Sequence, residues 1–241
     1  MRTEGADFPI VDIDEVFHIL IPSRFPTVDL YERIAGGRDE LFSAIETMTN
    51  PRVREKERLT QGLAPVDQQK PRFANWNHAP FVYPNPEGTR FFGADRNVVE
   101  LSRDLQTALA ISVAKREAFL SRTAEPATFL EMRQVVRPVR GHYVDARGWG
   151  GIGDRERRVK LGRAADDGAL GDIDGILFNP WERPSATAIV VFKPECLGKP
   201  DQAEHFKFLW NGRKISTLYS FRKGVEYSPD MLGSEGKILA A

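Results

Sequence analysis

The chain has a single cysteine and no net charge, and each of these features excludes some classes of protein. Its one cysteine, Cys196, cannot form an intramolecular disulfide, which fits a reducing cytoplasm. Lysine and arginine together number 34, as do aspartate and glutamate. This balance disfavours a general binder of nucleic acid or of anionic membranes, although a local basic patch is still compatible with it. We therefore expect a cytoplasmic protein without direct nucleic-acid contact.

Long hydrophobic runs and metal-ligand spacings are also missing. No apolar stretch approaches the roughly 18 residues of a membrane-spanning helix. The first residues, MRTEGADFPIVDIDE, have acids where a signal peptide needs a basic start and an apolar run. The four histidines are scattered, without the spacing of a metal site. Because hydrophobic residues still make up 41% of 241 residues, the chain can build a core of its own, and we expect one large domain.

Short apolar runs between turn signals predict the secondary structure. Strands are predicted at residues 16–21, 97–101, 128–139, 172–178 and 187–192, and helices at 30–35, 40–49 and 104–122. Ser102 or Asp104 can cap the longest helix, and Asn211-Gly212 predicts a hairpin turn between runs at 207–210 and 216–219. The tail after Gly224 is expected to fray. This mixed order of elements favours an α+β fold over a doubly wound one.

A glycine-rich stretch precedes a charged segment in the second half of the chain. Residues 148–153, GWGGIG, match the spacing of a dinucleotide-binding loop, and a charged helix is predicted to follow them. No strands of a parallel βαβ unit are evident around this stretch. The preferred interpretation is therefore a loop without a nucleotide role.

Four segments, in order along the chain, carry a family resemblance. They are FHILIPSRFP at 17–26, GTRFFG at 88–93, ELS with TALAI and KREAFL between 100 and 120, and GILFNP with AIVVFKPECL between 175 and 197. Together they resemble the RES domain, the NAD⁺-consuming toxin domain of bacterial toxin–antitoxin operons. The resemblance covers about residues 16–197. It implies a single RES-like domain over residues 1–241, with a C-terminal hairpin and tail at 198–241.

The resemblance implies a fold, a reaction and partners. The fold is the split, mixed β-sheet core of ADP-ribosyltransferase-like proteins, with helices packed on it. The reaction cleaves the bond between nicotinamide and ribose in NAD⁺, with water, phosphate or a protein as acceptor. NAD⁺ is then a substrate or ligand, and no tightly bound cofactor is implied. A helix-turn-helix (Xre-type) antitoxin is the implied partner. A homo-oligomer is a further alternative, which the sequence leaves open.

The sequence departs from the family pattern at the residues that carry the chemistry. The family uses an arginine, a tyrosine, a glutamate and a serine around NAD⁺. Arg90 matches the arginine, but Glu100 stands at the tyrosine position, Ile111 at the glutamate position and Pro180 at the serine position. His18 replaces a further arginine of the longer RES proteins. Three of these changes remove a hydroxyl or a carboxylate.

Each candidate residue has a functional and a structural interpretation. Arg90, Arg24 and His18 are the candidates for cofactor binding. Arg90 and Arg24 contact an anion or are surface charges, whereas His18 otherwise is a core histidine with one satisfied nitrogen. Glu100 is either a relocated catalytic acid or a solvated glutamate at a strand end. Two hypotheses follow: an NAD⁺-degrading enzyme with a remodelled site, or a non-catalytic RES homologue that binds a nucleotide or a protein.

Overall fold

A computed structural model describes residues 8–23, 80–81, 85 and 87–236 of the chain. Within these residues it has eight strands and two α-helices, in the order β1 (Ile10–Pro22), β2 (Val99–Ser102), α1 (Leu105–Leu120), β3 (Thr128–Asp145), α2 (Arg155–Asp166), β4 (Gly175–Phe178), β5 (Ala188–Val191), β6 (Asp201–Trp210), β7 (Ile215–Ser220) and β8 (Val225–Tyr227). The α+β class is confirmed, as are the strands and the long helix predicted in this part. The helices predicted at 30–35 and 40–49 lie outside the described residues.

Strands β1 to β5 close into a ring, and β6, β7 and β8 continue the sheet outward from β3. We call these two parts the ring and the extension. The sheet order is β1-β2-β5-β4-β3-β6-β7-β8, and β1 also pairs with β3. The β1–β3 ladder runs from Ile10 to Pro22, whereas β1 meets β2 only at His18 and Ser102. One apolar cluster takes side chains from all five ring strands, among them Phe17, Leu101 and Tyr143. Because strand residues alternate between faces, the neighbours of these residues point to the opposite face.

The strand pairing includes one parallel βαβ unit. β3 pairs in parallel with β4, from Tyr143 opposite Gly175 to Asp145 opposite Leu177, and α2 lies between them in the chain. The glycine stretch 148–153 therefore joins β3 to α2 inside such a unit, and our expectation that none surrounds it was wrong. The unit was not evident from the sequence because the last six residues of β3, RGHYVD, lack the apolar alternation that marks a strand.

Helix α1 packs on the outside of the ring. Asp104 caps it, as the sequence predicted, because its side chain accepts a hydrogen bond from the Thr107 amide. Ile111 packs into a cluster with side chains of β4 and β5, while Leu109 and Val113 pack against β6 and β7. The helix thus spans the boundary between the ring and the extension.

The C-terminal part is more ordered than the sequence indicated. The hairpin of β6 and β7 forms around Asn211 and Gly212, as predicted. The tail after Gly224 was expected to fray, and that expectation was wrong: β8 pairs with β7, and Leu232 is buried. Val225 and Tyr227 supply β-forming side chains to the sheet edge, which composition alone did not reveal. Neither helix in the described part reaches the length and hydropathy of a transmembrane segment.

Candidate functional site

Arg90 is the centre of a buried cluster of charges. It precedes β2, and its side chain is only 3% exposed. Its Nε donates to Glu100 Oε1 at 2.8 Å, and its Nη2 donates to both carboxylate oxygens of Glu182 at 2.9 and 3.0 Å. Lys115 Nζ donates to the second oxygen of Glu100 at 2.7 Å. We call these four residues the ion cluster; its two cations and two anions balance.

Alternation along β2 explains why Glu100 faces this cluster. Val99 and Leu101 belong to the apolar interior of the ring, so Glu100 between them points outward, toward α1. Lys115 reaches it from the helix. The structure thus brings together Arg90 and Glu100, two candidates that the sequence places ten residues apart.

Glu100 and Arg90 hold each other in their charged forms at neutral pH. Burial alone would raise the pKa of Glu100, but Lys115 and Arg90 together lower it to about 2. Burial likewise opposes the charge of Arg90, whereas Glu100 and Glu182 raise its pKa. A carboxylate that is ionised at every physiological pH cannot deliver a proton as a general acid. It can stabilise a positive charge that develops beside it.

Aromatic rings enclose the Arg90 guanidinium. The Trp181 ring centre is 3.7 Å from Arg90 Cζ and the Phe178 ring centre 5.2 Å. Arg158 of α2 stands 4.8 Å from the centre of the same Trp181 ring, and its Nε donates to the Arg90 carbonyl at 3.0 Å. Arg90 Nη1 is buried and has no hydrogen-bond partner among the described residues. The two N–H groups of this nitrogen therefore remain for an anion oxygen.

The family's carboxylate and hydroxyl positions hold apolar groups beside the ion cluster. Ile111 is 6% exposed and packs in the cluster that includes Phe178 and Val190. Ile111 lies one helical turn before Lys115, so both side chains occupy the same face of α1. Pro180 is buried just after β4. The reacting groups implied by the resemblance are thus replaced by hydrocarbon at both positions.

Of the other two candidates, the structure describes only His18. His18 Nδ1 is 2.7 Å from Gln134 Nε2, which donates to it, and no hydrogen bond or ion pair joins His18 to the ion cluster within the described part. Burial lowers the pKa of His18, although Asp104 acts in the opposite direction. The His18 imidazole is therefore neutral near pH 7. Arg24 lies outside the described residues.

Several residues of the site escaped the sequence analysis. They are Glu182, Trp181 and Arg158, together with Arg183, which follows Glu182 and is buried. The sequence indicated only a charged helix over the segment that contains Arg158, and it marked none of the other three residues. The signal that could have found them is the run Trp181-Glu182-Arg183 directly after a buried strand, since loops at strand ends often carry functional side chains.

A depression elsewhere on the surface is a weaker candidate. Its volume is ≈ 300 Å³, and it lies near the C-terminal end of α2 rather than at Arg90. Its charged groups are already paired: Asp166 with Arg96 at 2.9 Å, and Lys193 with Asp172 at 3.3 Å and Asp174 at 2.9 Å. Arg90 Nη1, in contrast, is a buried donor without a partner among the described residues, so we place the candidate site at Arg90.

Comparison with known proteins gives two matches. The family model "RES domain" matches residues 68–211, which include the whole ion cluster. The chain is also 44% identical over 225 residues to the "Uncharacterized protein y4oC" of Sinorhizobium fredii (strain NBRC 101917 / NGR234), over 92% of this chain and 95% of that protein. The name of this relative assigns it no activity.

Proposed function

The chain belongs to the RES domain family, and on this premise we propose that it binds NAD⁺ but cleaves it far more slowly than a RES protein with the full catalytic set. The observation that carries the proposal is Ile111, a buried hydrocarbon in an apolar cluster next to the ion cluster. We also propose that the closed ring is the split core of ADP-ribosyltransferase-like proteins.

Arg90 is the proposed contact for the pyrophosphate. A planar guanidinium presents a fork of donors that matches phosphate oxygens. Its unpaired Nη1 offers one such donor, and the rings of Trp181 and Phe178 supply apolar walls. The Arg158 guanidinium also contacts the Trp181 ring, so it brings a second positive charge to the site. His18 and Arg24 remain proposed contacts for more distant parts of the ligand.

The proposed loss of catalysis follows from the chemistry of nicotinamide release. The transition state resembles an oxocarbenium cation, and a positioned carboxylate stabilises it. Glu100 carries the carboxylate of this cluster closest to Arg90 Nε, but its two oxygens are held by Arg90 and Lys115. Removing one positioned electrostatic group costs a factor on the order of 10²–10³ in rate.

Restoring the family residues tests this proposal. We expect no or very slow nicotinamide release from NAD⁺ by the native protein, and a gain on Ile111→Glu combined with Pro180→Ser and Glu100→Tyr. The new carboxylate would stand four residues before Lys115, a spacing at which glutamate and lysine attract each other, so its burial is partly compensated. Vigorous turnover by the native protein would overturn the proposal and make Glu100→Gln the next variant.

A binding experiment tests the ligand separately from catalysis. Calorimetric titration with NAD⁺ should show binding to the native protein and weaker binding to Arg90→Ala. Arg96→Ala is the matched control, because Arg96 also forms an ion pair with a carboxylate, that of Asp166, but its side chain is more exposed than that of Arg90. Equal affinity of the native protein and Arg90→Ala would reject Arg90 as the phosphate contact.

One observation favours a second function, a protein-interaction module. Phe129 and Phe221 are 53% and 49% exposed, and Lys207 Nζ lies over both rings, at 4.3 and 6.0 Å from their centres. Exposed aromatic groups gathered on one surface are typical of partner sites. A helix-turn-helix antitoxin is the partner that the family suggests. Co-purification with such a protein, lost on Phe129→Glu and Phe221→Glu, would support this function; unchanged co-purification would exclude this surface.

A further inference from the structure

Two segments of the chain meet at the ion cluster. The site loop, residues 180–186, carries Glu182; the clasp, residues 228–236, follows β8. We propose that the clasp holds the site loop closed on Arg90, so that its release is the step that admits an anionic ligand to this arginine. The ligand in this inference is the one of the proposed function, and the gating is additional to it.

Glu182 occupies Arg90 as an anionic ligand would. Both of its oxygens accept hydrogen bonds from Arg90 Nη2, at 2.9 and 3.0 Å, and its side chain is buried. Arg90 Nη1, the donor proposed for the phosphate, is itself buried, and the Trp181 ring of the site loop lies over the guanidinium. Access to Arg90 therefore requires that the site loop move.

Arg183 anchors the site loop on two sides. Its Nη1 donates to Asp104 Oδ1 at 2.9 Å and to Thr107 Oγ1 at 3.0 Å, at the start of α1. Its Nε donates to the carbonyl of Ser234 in the clasp at 3.1 Å. Since Arg183 directly follows Glu182 in the chain, withdrawal of Glu182 from Arg90 strains or breaks these bonds.

The clasp is in turn fixed to α1 and touches the site loop. Gln106 Nε2 lies within hydrogen-bond distance of three clasp carbonyls: Leu232 at 3.1 Å, Ser234 at 3.3 Å and Gly236 at 3.1 Å. An amide nitrogen has two protons, so one buried side chain holds the segment through shared bonds. At Gly233, an added Cβ would come 3.2 Å from the Glu182 carbonyl oxygen, which shows how closely the two segments pack.

Two variants should open the clasp by different means. Gln106→Leu removes both donors and keeps a similar volume, whereas Gly233→Val inserts a branched side chain against the Glu182 carbonyl. Gly236→Ala is the matched control in the same segment, because its Cβ would meet nothing closer than Ser234 Oγ at 4.0 Å.

Phenylglyoxal, which modifies accessible guanidinium groups, measures the opening without any nucleotide. Peptide mass spectrometry follows modification of Arg90, with exposed Arg213 as reference and fully buried Arg133 as a monitor of folding. We expect Arg90 to react slowly in the native protein and in Gly236→Ala. It should react about tenfold faster in both opening variants, the effect of losing one or two hydrogen bonds. Unchanged reactivity in both, with Arg133 protected, would overturn the inference.

Glu182→Gln decides the matter if the opening variants also expose Arg133. It weakens the hold on Arg90 without touching the clasp, so faster modification of Arg90 alone supports the gate and an unchanged rate overturns it. NAD⁺ added to the reaction separates the two proposals. Exposure of Arg90 in the clasp variants without protection by NAD⁺ supports the clasp and contradicts the proposed ligand. If NAD⁺ protects Arg90 in the native protein but the clasp variants do not change its modification, the result supports the proposed ligand and contradicts the clasp.

Discussion

Replacement of Glu100 by glutamine tests the ion cluster as the support of the site. The amide keeps the size of the carboxylate and loses its charge. Arg90 and Lys115 would then face a neutral group, and Glu182 would be the one anionic partner left to Arg90 among the described residues. Arg90 stays buried when this happens, so its charge becomes undercompensated rather than solvated.

The size of the effect follows from the pKa of Glu100. The pKa falls from an ordinary value of 4.5 to about 2 in the folded protein. At 1.36 kcal/mol per pKa unit this shift corresponds to about 3 kcal/mol of stability. Because the folded value is the lower one, this stability is present above the unfolded pKa of 4.5 and is lost as the pH falls toward about 2.

Urea denaturation of the native protein and of Glu100→Gln measures this contribution. We expect the variant to lose about 3 kcal/mol near pH 7, and the difference to shrink as the pH is lowered below 4.5. Glu87→Gln is the control, since Glu87 forms an exposed ion pair with Arg122 and should cost under about 1 kcal/mol. A loss at neutral pH no larger than that of the control, or a difference independent of pH, would refute the reasoning.

The remaining predictions concern His18 and two glycines. The pKa of His18 is lowered by burial, so the unfolded chain binds its proton more readily and stability should fall as the pH drops below about 6.5. His18→Gln, which can still pair with Gln134, should flatten melting temperature against pH in this range; parallel profiles would contradict it. Gly175→Ala should cost more than about 3 kcal/mol because its Cβ would overlap the Val190 carbonyl oxygen. Gly212→Ala, with nothing within 4 Å, should cost about 1 kcal/mol; melting in the reverse order would argue against this packing.

Local signals in the sequence were enough for most elements of the described fold. Helix α1 was predictable because Asp104 is a strong cap and no proline or glycine interrupts the residues after it, LQTALAISVAKREAFL. The hairpin turn at Asn211-Gly212 was equally local. The parallel pairing of β3 with β4 was not, because it joins residues about thirty positions apart and no local pattern encodes a partner. The edge strand β8 was missed for a different reason: it pairs with the adjacent β7, but it has only three residues, too few for an apolar alternation to show.

The site was predictable only where a motif marked it. Arg90 and Glu100 came from the family resemblance, and their contact is local enough to be plausible from the sequence. Glu182 lies 92 residues from Arg90, and only the closed ring brings it there. The surroundings of Ile111 likewise depend on β4 and β5. The resemblance identified which side chains had changed, but the fold determines what replaced them as partners.

Strand β3 has a consequence for the kinetics of local opening. Its 18 residues pair with β1, β4 and β6, so one strand is a member of both the ring and the extension. β8 and β7 can open one after the other from the β8 edge of the sheet. Opening beyond β6 requires that β3, and with it the ring, unfold as well. Amide hydrogen exchange should therefore become slower in steps from β8 to β3. The amides of β3 should exchange only when the whole domain unfolds.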